Sequence, residues 1–539
     1  MTGAGHPSAR RAIDLLGVAS AVLCVLLAWA SRHHLNLDGV SYLDLAARLR
    51  AGDWPSFVQG YWSPLYPALL AVAGTLTGQR AAPSLPVVHA VNALIALGIV
   101  ALLWRTLRRR DDVVLARLTM AALFLAATRP PRIDAVTPDL LLVLMLVVVA
   151  LELLEHDGRR WILLGLALGG AYLAKTSAWP CVALAIGVLL WRATRTRAWR
   201  PTLGTSAVAL GAIALWAVPV SVEHGRPVLE SASRLNRCWY LAGCDARSPD
   251  THEGTHDRYA TVAASADSIV IVDFGETPWT YAPWGDPVRW DAGVRTETRR
   301  LVTVRALLTY WWAQSMIVWG YWLAPLILGV LLPALRMAGP RVPWRALAAE
   351  QWPALLVLAL GLAGIAQFVA LHAEPRLIAP YALLVALGTV WWLHGAGALA
   401  HEHPRPRLRA RWLSWAGLVI ALPLAAVTIG QHLASSARIP VRAQQVEAMR
   451  RAAVAHGLSM DRVVVVGSAL PLVADAWRAG VAIVGQIPPR SLTAFASLGA
   501  EQQGALLRAR FGDRAQVAWV TTGGDGFRLL TFGNVPISP

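Results

Sequence analysis

The sequence predicts a mainly α, polytopic helical membrane protein with a small C-terminal α/β domain, and three observations point to that class. Of 539 residues, 56% are hydrophobic and 15% charged, well below the charge content of a soluble domain. The apolar residues gather in blocks long enough to cross a bilayer, separated by short Arg-rich or Pro-rich connections. After residue 430 the blocks give way to short amphipathic helices alternating with β-branched runs.

Candidate spans fall at 15–31, 85–104, 113–128, 140–154, 161–173, 177–191, 203–220, 318–335, 352–371, 377–392 and 412–430, about eleven by the length a bilayer requires. No signal-peptide cleavage site follows the first, which is read as an uncleaved span. Arginine clusters at 10–11, 105–110, 159–160, 192–200, 336–345 and 405–411 fall on alternate connections. The positive-inside rule then places the N-terminus in the cytoplasm and the outer loops at 32–84, 129–139, 221–317 and 372–376. A net charge of +17 fits this topology better than a nucleic-acid partner, because the arginines sit between spans rather than on one soluble face. Twenty-five Trp against eight Phe also suits an interfacial aromatic belt.

The expected domains are a membrane domain at 1–430 and an extracytoplasmic α/β domain at 431–539. The latter reads as a helix at 441–456, strands at 463–467 and 481–484, a helix at 501–510 and a strand pair around 517–532. Gly523, Gly524, Asp525 and Gly526 suit a hairpin turn rather than a phosphate loop, since no helix follows. Cys24 and Cys181 lie in apolar runs, and Cys238 and Cys244 in a polar loop. No C-x-x-C pair suggests zinc, and on an oxidising face Cys238 and Cys244 are read as a disulfide.

The stretch LDGVSYLDLAARLRAGDW, 37–54, sets Asp38, Asp44 and Asp53 beside the first span. An ionisable group at a bilayer boundary is costly enough to be a functional candidate. Residues 39–49 read as a helix lying in the interface, and 62–78 as a second such helix or a re-entrant segment. Asp44, on another helix face from Asp38, reads as a solvated acid.

Four local features resemble the GT-C superfamily of membrane glycosyltransferases, especially bacterial relatives of the protein O-mannosyltransferases and the aminoarabinose transferase. They are the 37–54 stretch followed by YWSPLYPALLA, then VTPDLLLVLML at 136–146, GGAYLAKTSAWP at 169–180 and HAEPRLIAPYALL at 372–384. They occur in the family's order and on one side of the membrane. Two departures stand out: the first loop's usual Asp-Glu is Asp38-Gly39 here, and the late Arg-Tyr is Arg376-Leu377.

The resemblance implies an inverting hexosyl- or pentosyltransferase of the bacterial cytoplasmic membrane. It would take a polyprenyl-phosphate sugar as donor and a glycan, lipid or protein hydroxyl as acceptor. Such a transfer needs one base for the hydroxyl proton and cations for the departing phosphate. Asp38 is the expected base, with Lys175 and Arg376 as the expected phosphate contacts. A retaining glycosidase would instead need two carboxylates ~5 Å apart.

Asp139, Tyr42, His372 and Glu374 are further substrate or metal candidates, and a divalent cation is left open should Asp38 and Asp139 converge. Plainer readings compete at each position. Asp38 could be a solvated loop acid, Asp139 a helix N-terminal charge, Lys175 a snorkelling end, and Arg376 a local partner of Glu374. Tyr42 and His372 could be interface residues. The Trp-rich stretch TPWTYAPWGDPVRW in the 221–317 loop reads either as a sugar platform or as a lid on the membrane surface. A transporter, a lipid flippase and a non-catalytic partner-binding relative remain the alternative functions.

Overall fold

Backbone polar groups find no water in hydrocarbon, so apolar segments crossing it must close their hydrogen bonds internally, as helices do. The computed structural model describes residues 7–79, 82–110, 119, 133–155, 160–241, 259–264, 267–290, 304–318, 350–399, 427, 430, 448, 450–451, 453–512, 514–521 and 527–531. The helices that matter below are α1 (Pro7–Ala30), α2 (Leu37–Arg50), α3 (Leu65–Leu76), α4 (Leu85–Arg110), α5 (Asp139–Leu154), α6 (Trp161–Ala174), α7 (Trp179–Thr196) and α8 (Trp199–Glu223). They continue with α9 (Ala232–Leu241), α10 (Val304–Val318), α11 (Trp352–Leu371), α12 (Pro375–Leu399), α13 (Val473–Arg478), α14 (Leu492–Ala496) and α15 (Ala500–Phe511).

Among the described residues, six helices are long and apolar enough to cross a membrane, drawn from α1, α4, α7, α8, α11 and α12. The segments expected at 140–154 and 161–173 are helices of 16 and 14 residues, α5 and α6. Those expected at 113–128, 318–335 and 412–430 fall almost wholly outside the described residues. Along α1, Leu15, Val18, Val22, Leu26 and Trp29 are exposed at helical spacing, a stripe suited to lipid. α11 and α12 pack so closely that a Cβ on Gly364 would meet the Tyr381 ring at 1.9 Å. That contact fixes the short loop between them, which carries His372 and Glu374.

The sheet has the order β1-β2-β4-β3-β5-β6, with β1 (Tyr259–Ala264), β2 (Asp267–Asp273), β3 (Arg462–Val466), β4 (Ala482–Ile487), β5 (Val517–Thr521) and β6 (Phe527–Thr531). β3 runs parallel to β4 and β5, while β2 on β4, β1 on β2 and β6 on β5 are antiparallel. The run Arg-Val-Val-Val-Val makes β3 central, because β-branched side chains suit a strand covered on both faces. Val463 and Val465 join the core shared with the membrane helices, whereas Val464 and Val466 pack with Phe495 of α14 and Leu507 of α15. The period of two thus clamps the sheet between α14 and α15 and the helical body. β1 and β2 come from the 221–317 loop, where no strand was expected; the sheet joins segments far apart in sequence.

That packing changes the environment of α2. An interface-lying helix should leave one face wet, yet Gly39 to Ala46 are all buried. The membrane helices cover one side and the segment at 274–286, together with α13, covers the other. The expectation of a half-solvated surface helix is corrected accordingly.

Candidate active site

Helix ends deliver the polar groups. Asp38 lies in the first turn of α2, Asp139 opens α5 behind Pro138, Lys175 closes α6, and Arg376 sits in the first turn of α12. A carboxylate at a helix N-terminus interacts favourably with the unpaired N–H groups there, which suits Asp38 and Asp139 to the first turns they occupy. All four residues, with Tyr42, His372 and Glu374, line one cavity of about 600 Å³.

Two ion pairs organise it. Arg376 donates from Nη1 to Asp38 Oδ2 at 2.5 Å and from Nε to Glu374 Oε2 at 2.8 Å. The other Asp38 oxygen accepts Trp284 Nε1–H at 3.3 Å. Lys175 Nζ donates to Asp139 Oδ1, and Thr137 donates its hydroxyl to Asp139 Oδ2 at 3.0 Å. Such pairs survive away from water only when further hydrogen bonds satisfy the remaining oxygens, as they do here. The plainer readings change as a result. The Asp38 side chain is 14% exposed and no solvated loop acid, and Lys175 turns inward to an acid rather than snorkelling outward. The local Arg376–Glu374 pair exists, but Arg376 also spans to Asp38.

His372 is corrected as well: its ring stacks on Tyr240 at 3.7 Å with 7° between the planes, and Nε2 lies 3.2 Å from Glu374 Oε1. α10 steadies this loop, Gln314 Oε1 accepting the Ala373 N–H at 2.6 Å. Burial alone would raise the Glu374 pKa, but the bonds from His372 and Arg376 and the Arg376 charge outweigh it and hold the value at about 2. Glu374 is thus a permanent anion that fixes the Nε edge of Arg376 and leaves its Nη groups to face Asp38.

Tyr42 is buried edge-on against Trp62 and Tyr66, at 5.0 and 5.6 Å between ring centroids, rather than lying in the interface. Burial, then the nearby Asp38 and Asp139 charges, push its pKa well above the ordinary phenol value, so its hydroxyl keeps its proton.

The 221–317 loop supplies Trp284, from the Trp-rich stretch expected as a sugar platform or lid, and with it Glu230, Asn236, Arg237 and Trp239, which line the same cavity. The backbone carbonyl of Trp284 accepts both the Ser41 hydroxyl at 3.0 Å and Trp62 Nε1–H at 3.1 Å, which locks the Trp-rich segment onto α2. With Trp62, Trp239 and Tyr61 it gives the cavity an aromatic wall of the kind on which a sugar ring stacks.

Gly39 has a structural reason. A Cβ there would lie 2.7 Å from Val136 Cβ and 2.9 Å from Leu35 Cδ1, so only glycine lets α2 approach the loop that carries Asp139. Overpacking of this kind costs about 1–3 kcal/mol. Gly39→Ala is therefore expected to lower the thermal unfolding midpoint of the purified protein by about 1–3 °C, and an unchanged midpoint would contradict the close approach.

Asp44, expected to be solvated, is 8% exposed. The segment at 274–286 covers it: Oδ2 accepts the Thr280 N–H at 2.8 Å and Oδ1 the Thr280 hydroxyl at 3.0 Å. Burial pushes its pKa from 3.8 up to about 7, against the opposing Thr280 hydrogen bonds and the Arg48 charge. A group whose folded pKa exceeds its unfolded one favours the fold most when protonated. This contribution is complete below about pH 4 and lost as pH rises through about 7. Asp44→Asn, which cannot ionise, should flatten that part of the fall in unfolding midpoint between pH 4 and 8. Superimposable pH profiles for the two proteins would refute the buried-acid reading.

Asp38 and Asp139 each already face a basic side chain, and among the described residues no group of three or more His, Cys, Asp or Glu gathers to hold a metal. Of the expected Cys238–Cys244 pairing, Cys244 lies outside the described residues, while Cys24 and Cys181 are buried free thiols.

No family model matches the sequence, and no curated protein matches it. Among solved structures, the crystal structure of ArnT from Cupriavidus metallidurans bound to undecaprenyl phosphate is similar over 98% of this chain and 99% of that one, at 14% identity and a TM-score of 0.49. ArnT from the same organism in the apo state is similar over 94% of this chain and 93% of that one, again at 14% identity and a TM-score of 0.49.

Proposed function

We propose that the chain is an inverting glycosyltransferase of the GT-C type. It moves a hexosyl or pentosyl group from a polyprenyl-phosphate donor to an acceptor hydroxyl at the outer face of the cytoplasmic membrane. One observation carries the reading: a base, two phosphate-competent cations and an aromatic wall, contributed by segments far apart in sequence, share a cavity at helix ends. Carriers with long apolar tails can reach such a site from the lipid while an acceptor reaches it from water.

The ion pairs give the chemistry an order. The donor phosphate competes with Asp38 for the Nη edge of Arg376, whose Nε edge stays on Glu374. Asp38 Oδ2 is thereby released as the general base only when a donor is present, which protects the donor from adventitious hydrolysis. Asp38 takes the acceptor proton as the hydroxyl oxygen attacks the anomeric carbon. The bond from that carbon to the phosphate oxygen breaks with its electron pair on phosphate, and the new charge meets Arg376 and Lys175. Attack opposite the leaving group inverts the anomeric centre. Asp139 and Thr137 keep Lys175 aimed into the cavity. A coupled transporter would place its ionisable groups at mid-span, whereas these stand at helix ends.

The test is transfer of labelled sugar from polyprenyl phosphate in membranes containing the chain. Label should pass into a non-prenyl product; label that never leaves the prenyl carrier, with every candidate acceptor fraction supplied, would refute the reading.

A further inference from the structure

Four helices that line the catalytic cavity with one end line a second hollow with the other. Asp139 of α5, Lys175 after α6, Trp179 of α7 and Leu371 of α11 face the first. Glu152, Trp161, Arg192 and Trp352 of the same helices face the second, of about 290 Å³. At ~1.5 Å per residue the two groups lie roughly 20 to 28 Å apart along the helix axes. A hydrocarbon core is about 30 Å thick, so the second hollow opens at the opposite membrane rim.

Its chemistry differs from that of the first. Arg160 donates to Glu152 at 3.1 Å, which uses the hollow's one carboxylate among the described residues. Arg192 lies 3.9 Å from the centroid of the Trp352 ring and has no carboxylate partner among the described residues. Among the described lining residues one carboxylate thus faces two guanidinium groups, and Arg192 presents an open planar fork beside the Arg160–Glu152 pair. The buried Leu164, Leu189 and Ala193 give it an apolar floor, the half-buried Trp161 and Trp352 flank it, and Thr196, Thr202 and Thr205 also line it.

We propose that this hollow binds the phosphate of an anionic phospholipid headgroup from the leaflet opposite the catalytic cavity. Arg192 and Arg160 hold the phosphate oxygens, the tryptophans lie at the glycerol level, and the acyl chains run onto the apolar floor. A bidentate guanidinium suits phosphate, and basic pockets between spans select charged headgroups. The apolar floor is what favours a lipid over a soluble phosphate.

Native mass spectrometry of the purified full chain tests this directly, with added phosphatidylglycerol, phosphatidylcholine or inorganic phosphate. The wild type should retain phosphatidylglycerol and not phosphatidylcholine, and Arg192→Gln should weaken retention about tenfold. Arg195→Gln, at an exposed basic residue outside the hollow, should retain the lipid as the wild type does. If Arg192→Gln fails to fold, Arg160→Gln, on the half-exposed partner, gives the same reading. Equal retention by the wild type and the folded Arg192 or Arg160 variant would overturn the proposal. So would displacement of the lipid by inorganic phosphate at comparable concentration.

Discussion

Asp38→Asn is expected to reduce the turnover number for sugar transfer by about 10²–10⁴, the range for losing a general base. Asparagine is nearly the same size and can still accept from Trp284 or Arg376, so the unfolding midpoint should move little. Its effect on the donor separates chemistry from structure. Asp38 and the donor phosphate compete for Arg376, so neutralising Asp38 should leave donor KM unchanged or lower it. A merely structural role would raise KM and lower the midpoint together. Steady-state kinetics with purified protein, donor titrated at saturating acceptor, decides between them. Turnover within threefold of the wild type would end the role of Asp38 as base.

Arg376→Ala should be the more damaging change overall. It removes the cation that spans Asp38 and Glu374 and leaves two partly buried carboxylates without it. Loss of a preorganised charge stabiliser typically costs about 10²–10³ in rate, and here weaker donor binding adds to it. Arg376→Lys keeps the charge but not the fork that holds Glu374 with one edge and Asp38 with another. That variant should fold, raise donor KM at least tenfold and recover only a small part of turnover. Equal donor KM in Arg376→Lys and wild type would remove Arg376 from the phosphate site.

The expected site residues were legible because each breaks a local rule. Asp38, Asp139, Lys175 and Arg376 are charges at the ends of apolar helices, and charge in that position needs a partner. What sequence could not supply was the partnership itself. Arg376 meets Asp38 across 338 positions and Trp284 meets Asp38 across 246, distances over which no periodicity carries information. The same limit explains Asp44. A helix with polar residues on one face reads as half wet, and only the docking of Thr280 from 236 residues away makes that face dry. β3 and β4 were readable as β-branched runs, whereas β1 and β2 are recruited by an existing sheet edge, a tertiary event with weak local signal. Gly39 looked like a departure from the resembling family, yet its meaning lay in the approach of Val136.

The most direct measurement follows both halves of the donor at once. Purified protein in lipid nanodiscs receives a polyprenyl-phosphate sugar labelled in the sugar and, separately, in the phosphate, together with acceptor-containing membrane extract. Base-assisted displacement predicts that free polyprenyl phosphate appears in step with sugar on the acceptor, at the opposite anomeric configuration, and that both slow together by about 10²–10⁴ with Asp38→Asn. Retention of configuration, or transfer undiminished in Asp38→Asn, would contradict it.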